Sequence, residues 1–299
     1  MASKARDLQH ASEKEAALQD QLVLQFERDL ERVLRQTDRI LRDLIRQFDA
    51  KDDHFVRTRA SLSRALRMRA DIVKAIEDHG FSELATRATS SELQPLTEAV
   101  MQSIGIAARS IEKTPTATQA ILAFQELRLA DMVDWSRSAA HELWRVVVDG
   151  VLGLRRIEDL VRDVADLLDV SAARARTIYD TAVSSYTRQI ALLGSTGSRD
   201  ELFYYVGPVD KVTRPFCLTH VGKVYSRAEV DKLDNGQLPD PLITGGGYNC
   251  RHQFKRVSVL DQELRDLHRT GGRLPHIEQR LQQLAEEKRR DKEERRKSA

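Results

Sequence analysis

The sequence predicts a mainly α-helical protein that carries a small α+β domain toward its C-terminal end. Of its 299 residues, 31% are charged and only 5% are aromatic, a composition typical of long solvated helices. Apolar residues recur at spacings of three and four over most of the chain, whereas residues 201–257 concentrate aromatic and β-branched residues, turn signals and both cysteines. We therefore expect an elongated helical N-terminal region (1–152), a short β-sheet and loop module (153–258) and a charged helical tail (259–299).

The overall charge and hydropathy exclude several classes of protein. The 48 basic and 46 acidic residues leave a net charge of +2, so the chain as a whole has no strong attraction to nucleic acid or anionic membrane. Neither a run of about 18 apolar residues nor an N-terminal secretory signal occurs. We expect a soluble protein that is made in the cytoplasm, with no membrane partner and no small-molecule substrate.

The N-terminal part of the chain is predicted to form a series of helices. Residues 1–15 show no apolar period, and we expect them to fray. From Val23 to Phe48 the apolar spacing alternates between four and three, which predicts a helix that packs on another helix of its own domain. A second helix is predicted over 55–77, and Gly80 is placed to end it.

The middle of the chain continues this helical pattern. Pro115 predicts the start of a long helix, because proline is favoured in the first turn, and Gly150 with Gly153 predicts its end. After this break we expect one helix over 154–168 and a separate one, capped by Ser171, beyond it.

Three short strands are predicted in the C-terminal part, at 202–206, 224–225 and 253–257, each rich in aromatic or β-branched residues. Ser226 and Glu229 have the spacing of a capping box, which predicts a short helix directly after the second strand. These elements together predict the small sheet of the C-terminal module.

A basic segment lies in the second predicted helix. Between His54 and Ala70 the chain has no aspartate or glutamate, which gives a local charge of about +5. A solvated helix face explains this pattern. A surface that contacts nucleic-acid phosphates explains it as well, because arginines spread along a helix can neutralise a backbone without reading its bases. The candidate DNA-contacting residues are Arg57, Arg59, Arg64, Arg67 and Arg69.

The two cysteines each have a histidine close by in the sequence. Cys217 and His220 lie three residues apart, and Cys250 and His252 lie two apart. Two sulfurs and two imidazoles form a complete tetrahedral ligand set for zinc. Because residues two apart on a regular strand point to opposite faces, Cys250 and His252 can converge only where the backbone bulges or turns.

Three other interpretations of these residues stay open. A Cys217–Cys250 disulfide would also fasten the loop, although a reducing cytoplasm disfavours it. A nucleophilic cysteine activated by histidine would make the protein a hydrolase, but no orienting third group or oxyanion loop is apparent in the sequence. The simplest alternative is a pair of buried cysteines that fill space in the core.

Several short motifs occur in a fixed order between residues 155 and 258. They are an Arg-Ala-rich helix (SAARARTIYDTAVSSYTRQ, 171–189), a strand at 203–206, DKVTRPFC (210–217), GKVY (222–225) and NCR (249–251). In this order they resemble the phage Mu F-like minor head protein, or head-morphogenesis, family. The sequence departs from the family pattern at Arg214 and His252, which stand where the family often has cysteines, and at Gly247, where it has a histidine.

The resemblance implies a structural protein of a tailed-phage head or phage-like particle, placed in the virion at the portal vertex and capsid interior, and not an enzyme. The N-terminal helices would contact the portal protein or other head proteins, and the arginines would face packaged double-stranded DNA. A zinc-clipped cytoplasmic DNA-binding module and a cysteine-dependent hydrolase are the alternatives. The motif residues expected to hold the loop fold are Asp210, Thr213, Pro215, Gly222, Asn249 and Arg251.

Overall fold

The structure is a computed structural model that describes residues 4–105, 115–193, 195, 197–258 and 261–297. The chain is mostly helical, with a small antiparallel sheet on its C-terminal side, which confirms the predicted fold class. The helices are α1 (Lys4–Ile45), α2 (Arg59–Asp78), α3 (Phe81–Thr89), α4 (Gln94–Gly105), α5 (Pro115–Leu152), α6 (Ile157–Ala191), α7 (Pro215–His220), α8 (Arg227–Val230), α9 (Pro241–Thr244), α10 (Gln262–Thr270) and α11 (Pro275–Lys297).

The strands form a hairpin and a three-stranded sheet. Strands β1 (Ala50–Lys51) and β2 (His54–Phe55) pair with each other just before α2. Strands β3 (Leu202–Val206), β4 (Val224–Ser226) and β5 (Gln253–Arg256) form an antiparallel sheet in the order β4-β3-β5. The three predicted strands agree with β3, β4 and β5 to within one residue, and the capping box at the start of α8 is present. The hairpin was not predicted.

Helix α6 corrects one sequence expectation. The predicted break at Ser171 is wrong, because α6 continues through this residue, which is itself buried. Its buried positions Leu160, Val164, Leu168 and Ala175 recur at helical spacing on both sides of Ser171. An uninterrupted apolar stripe stabilises a continuous helix more than a single serine favours a cap.

The chain divides into two compact units, each assembled from separate segments. Unit 1 comprises the described residues of Met1–Asp20, Gln94–Phe124 and Val183–Ala299, and unit 2 comprises Gln21–Leu93 and Gln125–Ala182. The boundaries predicted at residues 152 and 258 stay a prediction.

Unit 2 is held together by aromatic contacts between its helices. The rings of Phe26 and Tyr179 stack with centroids 4.2 Å apart, and the Tyr179 hydroxyl donates a hydrogen bond of 3.0 Å to the carbonyl of Ala88. The indole of Trp144 donates to the carbonyl of Ala65 at 2.9 Å. The polar atoms of Tyr179 and Trp144 therefore both have hydrogen-bond partners, as buried tyrosine and tryptophan require.

Unit 1 is organised around strand β3, the middle strand of the sheet. Four successive β3 residues, Phe203 to Val206, are fully buried, so both faces of the strand are covered. On one face the Tyr205 ring contacts the Phe254 ring of β5 with centroids 4.5 Å apart. This is the face on which the cysteines lie.

The first turns of α1 belong to unit 1 and correct a second expectation. Residues 1–15 were expected to fray, but α1 begins at Lys4, and Leu8, Ser12 and Glu15 are buried. Glu15 binds Lys255 of β5 through both carboxylate oxygens, at 2.8 and 2.9 Å, and Ser103 of α4 accepts a third bond from Lys255 at 2.7 Å. The buried side of this helix segment is largely polar, so it leaves no apolar period in the sequence.

Candidate metal centre

The candidate site lies beneath strand β3, where helix α7 and the loop before β5 approach each other. Cys217 is in the middle of α7, a short helix that Pro215 begins at its first position. Cys250 and His252 lie in irregular backbone just before β5. The bend that the sequence spacing requires is present here, because the His252 amide donates to the Cys250 sulfur at 3.4 Å.

Three predicted ligands come together at this point. One potential ligand atom from each of Cys217, Cys250 and His252 lies within 4.8 Å of the other two, and all three residues are buried. The two Sγ atoms are 3.6 Å apart, close to the roughly 3.8 Å that two sulfurs span on a tetrahedral zinc ion. Within the described residues, the buried His252 Nε2 atom has no hydrogen-bond partner. These residues could hold a metal ion.

The surroundings of the two sulfurs make them electrostatically different. The hydrogen bond from Cys217 lowers the pKa of the Cys250 thiol well below its usual value, and the nearby His252 and Arg188 act in the same direction. The Gly246 amide donates a further hydrogen bond to Cys250 Sγ at 3.0 Å. The same hydrogen bond to Cys250, together with burial, raises the pKa of the Cys217 thiol. Cys250 is therefore the sulfur best prepared to be a thiolate ligand.

Arg188 of α6 supports the loop that carries Cys250 and His252. Its buried guanidinium donates to the carbonyls of His252 at 2.8 Å and Ile243 at 3.2 Å, and also to the carbonyl of Cys250. One side chain thus fixes three backbone positions around the site. A planar group with five donors is suited to this role.

The glycine segment before Cys250 allows the loop to approach the sulfurs closely. A Cβ atom on Gly246 would lie 2.4 Å from Cys217 Sγ and 3.2 Å from Cys250 Sγ. Such a contact is too short for any other residue to be accommodated without a shift of the loop. The sequence signal here was the Gly-Gly-Gly run, which favours irregular backbone.

His220, the fourth predicted ligand, lies outside the group. Its Nδ1 atom is 2.7 Å from the Tyr225 hydroxyl, and its ring packs on the Phe216 ring with centroids 4.4 Å apart. Burial, with the positive charges of Lys223 and Arg273, lowers the pKa of His220 to about 4. The structure places Tyr205 nearer the sulfurs instead, with its hydroxyl 3.4 Å from Cys217 Sγ.

The structure bears on the alternatives to a metal site. Both cysteines are free thiols. Cys217 is only 1% exposed and Cys250 only 3%, so neither sulfur is open to a substrate from solution. This burial suits a structural clip better than a nucleophile, which needs an accessible thiolate.

The motif residues around the site form a hydrogen-bonded turn. The Asp210 carboxylate accepts from the Val212 amide at 3.1 Å and the Thr213 hydroxyl at 2.9 Å, and its other oxygen accepts from Arg251. Burial raises the pKa of Asp210, but the hydrogen bonds from Arg251 and Thr213 outweigh burial and hold it below its usual value. Asp210 therefore joins the loop after β3 to the loop before β5.

Two further motif residues have special backbone conformations. Gly222 has a φ of +81°, and a Cβ there would lie 2.8 Å from a methyl carbon of Ile277. Asn249 has a φ of +53°, a left-handed conformation that asparagine tolerates better than most residues.

The five candidate arginines have different environments within unit 2. Arg57 donates two hydrogen bonds to the carbonyl of Leu152, the last residue of α5. Arg64 donates to the carbonyl of Gln47, two residues beyond α1. Both therefore satisfy carbonyls at helix C-termini, a role that the sequence pattern did not indicate. Arg57 is exposed despite these bonds, and so are Arg59, Arg67 and Arg69.

Comparison of the chain with protein-family models, curated proteins and solved structures found no match. Among the described helices, none combines the length and apolar character needed to cross a membrane.

Proposed function

We propose that this chain is a structural minor head protein of a tailed phage or phage-like particle, made in the host cytoplasm and incorporated at the portal vertex. The observation that carries the proposal is the arrangement of the motif residues. Thr213 and Arg251 both donate hydrogen bonds to the Asp210 carboxylate, and the glycine and asparagine of the motif take left-handed conformations in the same module. The motif residues on which the resemblance depends thus stabilise the loops around the buried sulfurs of Cys217 and Cys250.

The role that this arrangement favours is mechanical. Around Cys217 and Cys250, the hydrogen bonds, ion pairs and glycine contacts fix loops to the sheet of unit 1, and the sulfurs are buried. The helices of the N-terminal region would supply the surface for the portal protein or another head protein.

Co-sedimentation with purified portal oligomers tests this role. We expect the protein to pellet with portal oligomers at physiological ionic strength and to remain in the supernatant without them. Failure to pellet with portal oligomers or with any other head protein of the same particle would reject the proposal.

We further propose that Cys217, Cys250 and His252 bind a zinc ion. Two sulfurs and one imidazole are donors that zinc prefers and fill three of its four tetrahedral positions, and the unpartnered His252 Nε2 and the lowered pKa of Cys250 fit a ligand role. When bound, zinc would link α7 to the loop before β5 and stabilise the module.

Elemental analysis tests this assignment, and His220 provides a matched control. Protein purified without chelators should contain about one zinc ion per chain. Cys250→Ser and His252→Ala should lose the metal, and His220→Ala should retain it, because His220 lies outside the group. Metal-free protein that takes up no zinc on addition would contradict the assignment, and equal loss in all three variants would contradict the ligand set.

We propose that Arg59, Arg67 and Arg69 are the DNA-contacting residues of the basic segment. At 100° per residue they occupy an arc of about 160° on α2 that lies outside the buried stripe, which includes Met68 and Ile72. Arg57 and Arg64 are not included, because their guanidinium groups donate hydrogen bonds to carbonyls at helix C-termini.

A salt titration of DNA binding tests this assignment. Replacing the three arginines with glutamine should lower the slope of log affinity against log salt by about 0.9 for each phosphate that is no longer neutralised. The matched control replaces three other exposed arginines, which pair with aspartates: Arg32, Arg137 and Arg162. An unchanged slope, or an equal change in the control, would show that DNA does not bind to this face.

A further inference from the structure

A second group of polar side chains lies in unit 1, at the C-terminal end of α7. It consists of His220, Lys223, Tyr225 and Arg273, which we call the basic cluster. His220 ends α7, Lys223 precedes β4, Tyr225 is in β4, and Arg273 lies between α10 and α11. All four side chains are partly exposed.

Hydrogen bonds fix the positions of three of these groups, His220, Tyr225 and Arg273. Arg273 donates to the carbonyls of Leu218 and Thr219 near the end of α7, the first at 3.0 Å. The Tyr225 hydroxyl lies 2.7 Å from His220 Nδ1. If the hydroxyl donates to Nδ1, the opposite ring nitrogen of His220 carries a hydrogen and becomes a donor. These three side chains are therefore held in place, and with Lys223 the cluster presents mainly donors.

The positive charge of the cluster is not neutralised inside the protein. Within the described part of the chain, neither Lys223 nor Arg273 forms a salt bridge, and Arg273 Nε is buried with no hydrogen-bond acceptor. The carboxylate that most affects Tyr225 belongs to Glu229, which is bound to Ser226 and His268. In accordance with this, burial and the charge of Arg273 lower the pKa of Lys223. The two cations therefore repel each other, and neither has an anionic partner in the described residues.

We propose that the basic cluster is a binding site for a phosphate group. A phosphate carries up to two negative charges and several acceptor oxygens, which match two cations and an imidazole donor. The same chemistry occurs in a free phosphate or phosphorylated small molecule and in a nucleic-acid backbone. The site is separate from the arginines of α2 and does not depend on the virion role.

Titration with inorganic phosphate at constant ionic strength, followed by NMR of the histidine side chains, tests the proposal. The low pKa of His220 keeps its ring neutral at pH 7, so its signals report the ligand and not protonation. We expect a saturable shift of the His220 signals that sodium chloride does not reproduce.

Lys223→Gln should weaken phosphate binding about tenfold, because one charge-assisted hydrogen bond is removed. The Lys223 side chain makes no hydrogen bond in the described residues, so the variant should fold normally. The control Lys232→Gln removes an exposed lysine of the same unit and should leave binding unchanged. Equal phosphate binding by Lys223→Gln and the wild-type chain would overturn the proposal.

A second titration with a short DNA duplex identifies the source of the phosphate. If the duplex shifts the His220 signals of the wild-type chain but not of Lys223→Gln, the site binds backbone phosphate. If inorganic phosphate shifts these signals and the duplex does not, the site binds a free phosphate or a small phosphorylated ligand. Either result supports a phosphate site, and a response to neither ligand would reject it.

Discussion

Replacing Arg188 with methionine is expected to destabilise unit 1 by about 3–5 kcal/mol, because three buried carbonyl acceptors lose their donor. The guanidinium fixes the carbonyls of Ile243, Cys250 and His252, and methionine keeps much of the side-chain volume without a hydrogen-bond donor. The loop that carries two proposed metal ligands should therefore loosen together with the sheet. Hydrogen exchange of the β3 and β5 amides measures the loss of stability locally.

Arg176→Met is the matched control for this experiment. Arg176 lies on the same helix, but it is about half exposed, with a side-chain accessibility of 49%, and pairs with Glu27. Its replacement should cost no more than about 1 kcal/mol, as is typical of an exposed ion pair. If the β3 and β5 amides exchanged no faster in Arg188→Met than in the control, the prediction that Arg188 supports this loop would be wrong.

The second large effect is expected from the buried pair of Glu15 and Lys255. Glu15 has no exposed surface and Lys255 only 3%, and their charged atoms lie 2.8 Å apart. Glu15→Leu should destabilise unit 1 by about 3–5 kcal/mol, since it leaves a buried ammonium without its counter-ion. Chemical denaturation followed by the fluorescence or exchange of unit 1 residues measures this destabilisation.

The double variant Glu15→Leu/Lys255→Met separates the cost of an unpaired charge from a defect in helix packing. Replacing both charges by apolar groups of similar volume should restore most of the stability, because no buried charge remains. A double variant as unstable as Glu15→Leu alone would show that the ion pair itself is not the source of the effect.

Periodicity in the sequence predicted most of the fold, and the exceptions have physical reasons. Apolar stripes and turn residues located the sheet and most helix ends. The first turns of α1 were missed because residues such as Ser12 and Glu15 are buried through polar contacts, and periodicity detects only apolar burial. The break predicted at Ser171 was wrong because capping preference is weaker than a continuous stripe.

The candidate site was predictable in its residue types but only partly in its geometry. Cys217, Cys250 and His252 converge, as soft ligands near a glycine-rich turn suggested. His220 was predicted from its spacing alone, and no sequence signal indicates that Tyr225 engages its ring. Arg188 could not be found from the sequence, because it lies 62 residues from Cys250 and only the tertiary fold brings the two together.

Mass spectrometry of purified particles tests the proposed virion role most directly. If the chain is a structural head protein, particles from cells that carry its gene should contain it at low copy number relative to the major shell protein. It should remain with DNA-filled particles through density-gradient purification. Particles that lack the protein, with all of it recovered from the cytoplasmic fraction, would contradict the account.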